Sequence, residues 1–359
     1  MFRMVLHPAR DGDCVQLSWG SRGNERHLFV DLGRGSTWGD VQPVLKELGD
    51  IELLVMSHID ADHIAGAIPM VRADIPAFNP ARVWYNARPQ LEKAHRRLHP
   101  YEAFGARQAE KLSRGIAKFG WPQNEDFASG VVSTNSPEAQ VPIELPGGLK
   151  LTLLSPGDAE LAELLPQWDR ELGEAGLRTF DPDEDDPLDS AFEALGSAPN
   201  VRVLAAAPYE PDTTKANGAS ISFIAEYKGV RVLLAADAHS EVLERRLARL
   251  AEQEDGRYRL DLLKICHHGS KANTSPTFLS MIDCTRFAFS TNGARHHHPD
   301  PETIARILVT DRAREKTLYF NYRQSSSEQW ESATLSSRWN YRTVIPEAAV
   351  NGRIEIDLR

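Results

Sequence analysis

Histidine and aspartate gather at three places in the chain, and each place follows an apolar run. The first is His58-Ile59-Asp60-Ala61-Asp62-His63, the second Leu233-Leu234-Ala235-Ala236-Asp237, and the third Ile265-Cys266-His267-His268-Gly269-Ser270. On a loop leaving a strand, the His58-x-Asp60-x-Asp62-His63 spacing lets alternate side chains converge, so that ligand-type groups reach two adjacent metal positions. Imidazole nitrogen with carboxylate oxygen suits Zn²⁺, Mn²⁺ or Fe²⁺ rather than Ca²⁺. Asp237 is a single carboxylate at a strand end, where its two oxygens can each take one cation. Taken singly, each element has a plainer reading, because a strand-end Asp commonly caps a turn and paired loop histidines commonly face solvent. The three in this order point to a metal centre.

The surrounding pattern supplies the elements that must position these groups. Residues 4–6, 14–19 and 27–31 read as short strands, separated by turns at Asp11-Gly12-Asp13 and at 21–24. Residues 41–48 have helical spacing, and 51–56 is an almost continuous apolar run of the kind found in strands buried on both faces. The polar groups that follow it, before a helix at 64–71, stand where open α/β sheets place their sites. Strands are expected again at 149–154, 221–227, 230–235, 260–265, 287–290 and 317–322, and helices at 158–172, 239–252, 275–281 and 301–309. Between Arg88 and Lys118 eight basic residues face three acidic ones. That stretch is either a solvated helical face or an insertion that presents Arg96 and Arg97 to phosphates. The run Asp181-Pro182-Asp183-Glu184-Asp185-Asp186 reads as a solvated loop, since its spacing matches no EF-hand.

With 359 residues, 41% hydrophobic and 26% charged, the chain has enough apolar material for a sizeable core. A net charge of −10 argues against a protein that coats nucleic acid non-specifically, though not against a local basic groove. Three cysteines at unmatched spacings, Cys14, Cys266 and Cys284, argue against a disulfide framework. The N-terminus lacks the roughly 7–15-residue apolar stretch of a signal peptide, and no run approaches the ~20 apolar residues of a membrane span. The expected location is the cytoplasm, with no membrane partner.

The residues that suggest metal also carry a family resemblance. His58-Ile59-Asp60-Ala61-Asp62-His63 resembles the metallo-β-lactamase superfamily signature His-x-His-x-Asp-His, with Asp in place of the second His. That variant, followed by a strand–Asp and a strand–His-His-Gly-Ser, is similar to the metallo-β-lactamase-like domain of ComEC-type DNA-uptake proteins and their soluble relatives. Asp11-Gly12-Asp13-Cys14-Val15, Asp31-Leu32-Gly33, Asn292 and His298-Pro299 resemble further family elements, and the matching segments span about residues 5–307. The resemblance implies an α/β (α+β) fold: an αββα sandwich, two mixed sheets face to face with helices outside and metals at one edge. It implies one domain over 1–322, with insertions at about 88–140 and 161–200, and a C-terminal extension, 323–359, packed on the same domain. His58 and Asp60 would serve a first metal, Asp62, His63 and His267 a second, and Asp237 would bridge. No histidine lies between His99 and His239, and Asn217 stands where the superfamily has its third first-metal histidine. The implied cofactors are therefore two divalent ions, Mn²⁺ or Zn²⁺, with an oxygen-rich shell that suits Mn²⁺.

Such a pair, about 3.5–4 Å apart, generates hydroxide at neutral pH and offsets negative charge on a substrate. Asp62 can orient the nucleophile. A leaving-group acid must come from elsewhere, with His268 and His298 as candidates, His268 alternatively supporting the metal shell. Ser270, Lys271, Asn292 and Asn217 are the candidate substrate contacts, joined by Arg96 and Arg97. The leading expectation is a metal-dependent phosphodiesterase, most specifically a DNA nuclease with nucleic acid as substrate and room for a regulatory protein partner. The competing expectations are a hydrolase of a small ester such as a cyclic nucleotide, lactone or thioester, and a non-enzymatic metal-binding regulatory module.

Overall fold

A computed structural model describes residues 1–98, 108–175, 199–347 and 352–359. Two sheets carry the fold. The first is built from β1 (Phe2–Leu6), β2 (Val15–Ser21), β3 (Asn24–Val30), β4 (Leu53–Val55), β5 (Val83–Trp84) and, from the far end of the chain, β14 (Ile354–Asp357), in the order β14-β1-β2-β3-β4-β5. The second comprises β6 (Ile143–Leu145), β7 (Leu149–Ser155), β8 (Ser222–Tyr227), β9 (Val230–Leu234), β10 (Leu262–Lys264), β11 (Arg286–Phe289), β12 (Lys316–Phe320) and β13 (Tyr341–Val344), in sequential order across the sheet. Both are mixed: β3 runs parallel to β4, and β9, β10 and β11 run parallel to one another, while β1–β2–β3 and β8–β9 pair antiparallel.

Side chains alternate across each strand, and that alternation builds three apolar layers. Leu28 and Val30, Leu53 and Val55, and Trp84 share one buried cluster with Leu151, Leu153, Phe223, Val232, Leu234 and Leu262 of the other sheet. Their neighbours Phe29 and Leu54 face away, onto the helices Trp38–Leu48, Ala67–Arg72, Arg88–Leu98, Gln108–Phe119 and Asp158–Ala175 through Val41, Met70, Leu91, Leu112 and Leu161. On the other side Ile224, Leu233, Leu263, Phe287 and Leu318 pack on the helices Ser240–Ala251, Pro276–Met281, Pro301–Val309 and Ala333–Trp339. The result is the αββα sandwich expected from the sequence. The stretch after residue 322 supplies the outer strand of each sheet, β13 beside β12 and β14 beside β1.

Two local expectations change. Residues 51–56 do not form one strand: Asp50–Ile51 pairs with Asn79–Pro80 in a separate small sheet, and only Leu53–Val55 joins the large one. The helix placed at 64–71 is broken into Ala61–Ile64 and Ala67–Arg72, so Asp62 and His63 sit on a first helical turn rather than on an extended loop. The acidic run at 181–186 lies outside the described residues, as do 99–107 of the basic stretch. Among the described residues no helix is long and apolar enough to cross a membrane.

Trp84 tests the sandwich. It is fully buried between the sheets, its indole N–H donating to Asp126 at 2.8 Å. Trp84→Ala should cost about 3–5 kcal/mol, a typical loss for truncating a core aromatic, measured as a shift in the urea midpoint.

Candidate metal centre

Strand ends deliver the site. β3 ends at Asp31, β4 leads to Ser57 and His58, β9 to Asp237, β10 to His267 and His268, and β11 to Ser290. The β1–β2 connection brings Asp13 to the same edge, where its N–H approaches the Asp62 carbonyl at 3.3 Å.

Three imidazoles are aimed by bonds on their Nδ1 side. Asp31, fully buried, accepts from the Ser57 N–H at 2.7 Å, from the Ser57 hydroxyl at 2.6 Å and from His63 Nδ1 at 2.7 Å. Because the Ser57 hydroxyl gives its proton to Asp31, its oxygen accepts from His58 Nδ1 at 3.0 Å. His268 Nδ1 donates to the Ser290 carbonyl at 2.8 Å. In the neutral form each ring therefore carries its lone pair on Nε2. Those three Nε2 atoms, and Asp237 Oδ1, are buried without a hydrogen-bond partner.

Buried polar atoms are normally paired, so a group of orphans facing one another calls for a ligand. His58, His63 and Asp237 offer atoms mutually within 4.8 Å, and so do Asp62, His63 and His268. Asp237 Oδ2 lies 3.3 Å from His63 Nε2 and 3.6 Å from His268 Nε2, and Asp62 Oδ2 lies 3.4 Å from His268 Nε2. Asp60 Oδ2 stands 3.6 Å from His58 Nε2. The donor set of imidazoles and carboxylates fits divalent ions, and these groups can hold them.

Without a cation the carboxylates dominate. Burial alone would lower the His63 and His268 pKa values, but Asp237, with Asp31 and Asp62 around His63 and Asp13 beside His268, raises His63 well above normal and pushes His268 up to about 10. Conversely, burial would raise Asp62 and Asp237, and the facing imidazoles hold both carboxyls well below the usual range. Asp13 is buried against Lys264 Nζ, an inward-pointing side chain at the end of β10, and its Oδ1 lies 3.5 Å from His268 Nδ1. Gly12 makes this approach possible: a Cβ there would stand 1.7 Å from the Asp62 carbonyl oxygen.

The expected site residues fall into two sets. His58, Asp60, Asp62, His63, Asp237 and His268 come together. His267 is the more exposed of the two adjacent histidines and falls in none of the grouped ligand sets; its Nδ1 donates to Asn273 Oδ1 at 2.8 Å, and its Nε2 lies 3.6 Å from Asp237. His267 and His268 both have left-handed backbone, φ 43° and 53°, which turns consecutive rings in different directions. Asn217 is buried; its amide nitrogen donates to Asp212 at 2.7 Å, leaving Oδ1 unpartnered. His298 lies with its ring 5.5 Å from that of His267 and its Nδ1 3.4 Å from Asp300. Ser270 is buried, its hydroxyl accepting from the Ala272 N–H at 3.2 Å. Asn292 accepts from the Ala294 N–H and donates its backbone N–H to Arg10. The expected phosphate-binding cations are engaged within the chain: Arg97 with Asp158 at 2.8 Å, Arg96 with the Glu92 carbonyl at 3.2 Å, and Lys271 with Glu302 at 3.1 Å. Sequence reading gave no role to Asp13, Asp31, Ser57 or Lys264. Their signals were present in Asp-Gly-Asp, in Asp-x-Gly and in a lysine ending an apolar strand.

No protein-family model matches the chain, and no curated protein does so significantly. Solved structures are similar over most of it. They include the metallo-β-lactamase fold protein YhfI from Bacillus subtilis (12% identity, TM-score 0.37, covering 99% of this chain and 100% of that one). A mutant of the CmlA β-hydroxylase shows 11% identity and a TM-score of 0.40 over 99% of this chain and 54% of that one. A diphosphatase of the PhnP family shows 9% identity and a TM-score of 0.39 over 100% of this chain and 98% of that one. Likeness at this level carries no functional information.

Because the facing carboxylates raise the His63 and His268 pKa values in the cation-free cluster, a metal ion must compete with protons for these rings. Calorimetric titration in buffers of different ionisation enthalpy should show release of on the order of one or two protons per site filled, with affinity rising as pH increases. Binding with no proton release at pH 7 would contradict this electrostatic picture.

Proposed function

We propose that the chain is a metal-dependent hydrolase acting on phosphodiester bonds, with DNA as the substrate class. The observation that carries the reading is the convergence of three lone-pair-bearing imidazole nitrogens and the bare Asp237 oxygen at one buried edge. The choice of phosphodiester rests on the His58–His63 and Asp237…His267-His268-Gly269 patterns, whose resemblance is to a domain associated with DNA degradation.

In this reading His58 and Asp60, with the Asn217 amide oxygen, would serve a first ion and Asp62, His63 and His268 a second, with the Asp237 carboxylate available to both. This differs from the assignment of His267 to the second ion, and the basis is the 3.4 Å separation of His268 Nε2 from Asp62. Three carboxylates and an amide oxygen favour Mn²⁺, with Zn²⁺ the alternative. Divalent ions held there acidify water and offset charge on a phosphate. Asp31, directly for His63 and through Ser57 for His58, keeps both rings in the required tautomers. Asp62, half-buried at the site's rim, orients the attacking water. With His268 Nδ1 bound to the Ser290 carbonyl and its Nε2 given to the metal set, a proton for the leaving oxygen falls to His298, whose pKa burial lowers although Asp300, 3.4 Å from its Nδ1, favours the charged form.

Cleavage of linear and circular DNA in Mn²⁺, wild type beside Asp62→Ala with folding checked by circular dichroism, tests this. Wild type should cut and the variant should lose at least about 100-fold, the scale of removing a group that acts on the nucleophile. Equal cutting by both, or none by metal-loaded wild type, would refute the assignment.

A further inference from the structure

A second acid beside the cluster, Asp212, aims its neighbours as Asp31 does. Its Oδ2 accepts from the side-chain amide of Asn217 at 2.7 Å and from that of Asn273 at 3.0 Å, and both asparagines are buried. Two imidazole nitrogens, His267 Nδ1 at 3.7 Å and His239 Nε2 at 3.8 Å, stand beyond hydrogen-bond distance of it. A carboxylate accepts and does not donate, so it selects one end of each amide. The two nitrogens must face Asp212, and both oxygens must turn away from it. The Asn273 oxygen accepts from His267 Nδ1 at 2.8 Å, while the Asn273 nitrogen also donates to the Asp237 carbonyl at 3.1 Å. The Asn217 oxygen is buried with no hydrogen-bond partner.

Asp212 is itself held in place. Its N–H donates to the Ala272 carbonyl at 3.0 Å, and its Oδ1 accepts from the Thr214 N–H at 2.8 Å. The Tyr209 hydroxyl donates to the same Ala272 carbonyl at 3.0 Å. The buried Arg306 donates to the carbonyls of Pro208 and Lys271, at 3.3 and 2.7 Å, and so ties the segment before Asp212 to the loop after Ser270. Thr214 precedes the short helix Lys215–Gly218 that carries Asn217. Just beyond it, the Ile221 N–H donates to the Ser57 carbonyl at 2.9 Å, next to His58. The unpartnered oxygen therefore belongs to an element bonded directly to the one that presents His58. The two ends of an amide have nearly the same size and shape, so without Asp212 the Asn217 side chain could turn over and offer N–H donors to a cation.

We propose that Asp212 is a positioning residue of the metal centre: by fixing the Asn217 nitrogen it holds the Asn217 oxygen ready as a ligand for the first ion, and through Asn273 it fixes the His267 ring. This rests on the two-ion reading above, and it explains how a neutral side chain with two unlike ends can serve in that position.

Titration of the full chain with Mn²⁺, with free ion counted by electron paramagnetic resonance, tests this without turnover. Wild type should bind two ions. Asp212→Asn keeps the shape but removes the obligate acceptor, and it should weaken one ion by about 10–100-fold, the range for losing the partner that orients a metal ligand. Asn217→Ala should weaken the same ion, and adding Asp212→Asn to it should cost little more, because the two residues act as one unit. The exchanged pair, Asp212→Asn with Asn217→Asp, again sets one amide against one carboxylate and should recover the ion, a rescue that a merely structural role does not predict. Urea midpoints check that each variant is folded. Unchanged binding by Asp212→Asn, additive losses in the double variant, or a loss that the exchanged pair leaves unrepaired would overturn the positioning role alone. Fewer than two ions bound by wild type would overturn the two-ion reading, and the role of Asp212 with it.

Discussion

Asp31 fixes the chemistry at the edge of the sandwich. Its carboxylate, fully buried at the end of β3, accepts from Ser57 twice and from His63 once, and the committed Ser57 hydroxyl must then accept from His58. Two imidazoles on different turns thereby acquire the same tautomer and leave Nε2 bare. Burying such unsatisfied atoms is costly unless something fills the space between them. Much of the nearby structure serves this arrangement: the parallel pairing of β3 with β4 that brings Asp31 to Ser57, and the helical turn at Ala61 that swings His63 over Asp31.

The opposite sheet contributes by a different device. Its strand ends bring Asp237 and His268 to the same point, and Asp237 adds to the negative charge of Asp13, Asp31 and Asp62 that surrounds the imidazoles. A carboxylate in a protein interior needs a counter-charge, and Lys264 supplies one for Asp13 from within the inter-sheet layer. The Asp13–Lys264 pair also ties the β1–β2 connection to β10, so the two halves of the site are joined across the sandwich by charge as well as by packing. The remaining negative charge is what raises the His63 and His268 pKa values and what a divalent cation neutralises.

The layered fold was legible because strand alternation is local. Leu28, Phe29 and Val30, or Leu262, Leu263 and Lys264, announce their faces by period-two order alone. The convergence of candidate ligand groups was legible where spacing is short, as in His58 to His63. It was less so at His267-His268, because two adjacent imidazoles differ only in backbone conformation and in what their Nδ1 atoms meet, namely Asn273 for one and the Ser290 carbonyl for the other. Asp31 and Lys264 act through partners 26 and 251 residues away in sequence, a relation no window on the chain contains. The basic 88–118 stretch illustrates the same limit: counting charge finds Arg97, but only the fold shows that Asp158 faces it.

The central claim is that His268, rather than His267, completes the buried ligand set. Metal titration of His268→Ala beside His267→Ala, followed by the absorption of bound Co²⁺ as well as by stoichiometry, tests it most directly. The account predicts that His268→Ala loses a cation or changes its visible spectrum, while His267→Ala binds with wild-type stoichiometry and spectrum. The opposite pattern, with His267→Ala losing the cation and His268→Ala retaining it, would contradict the account.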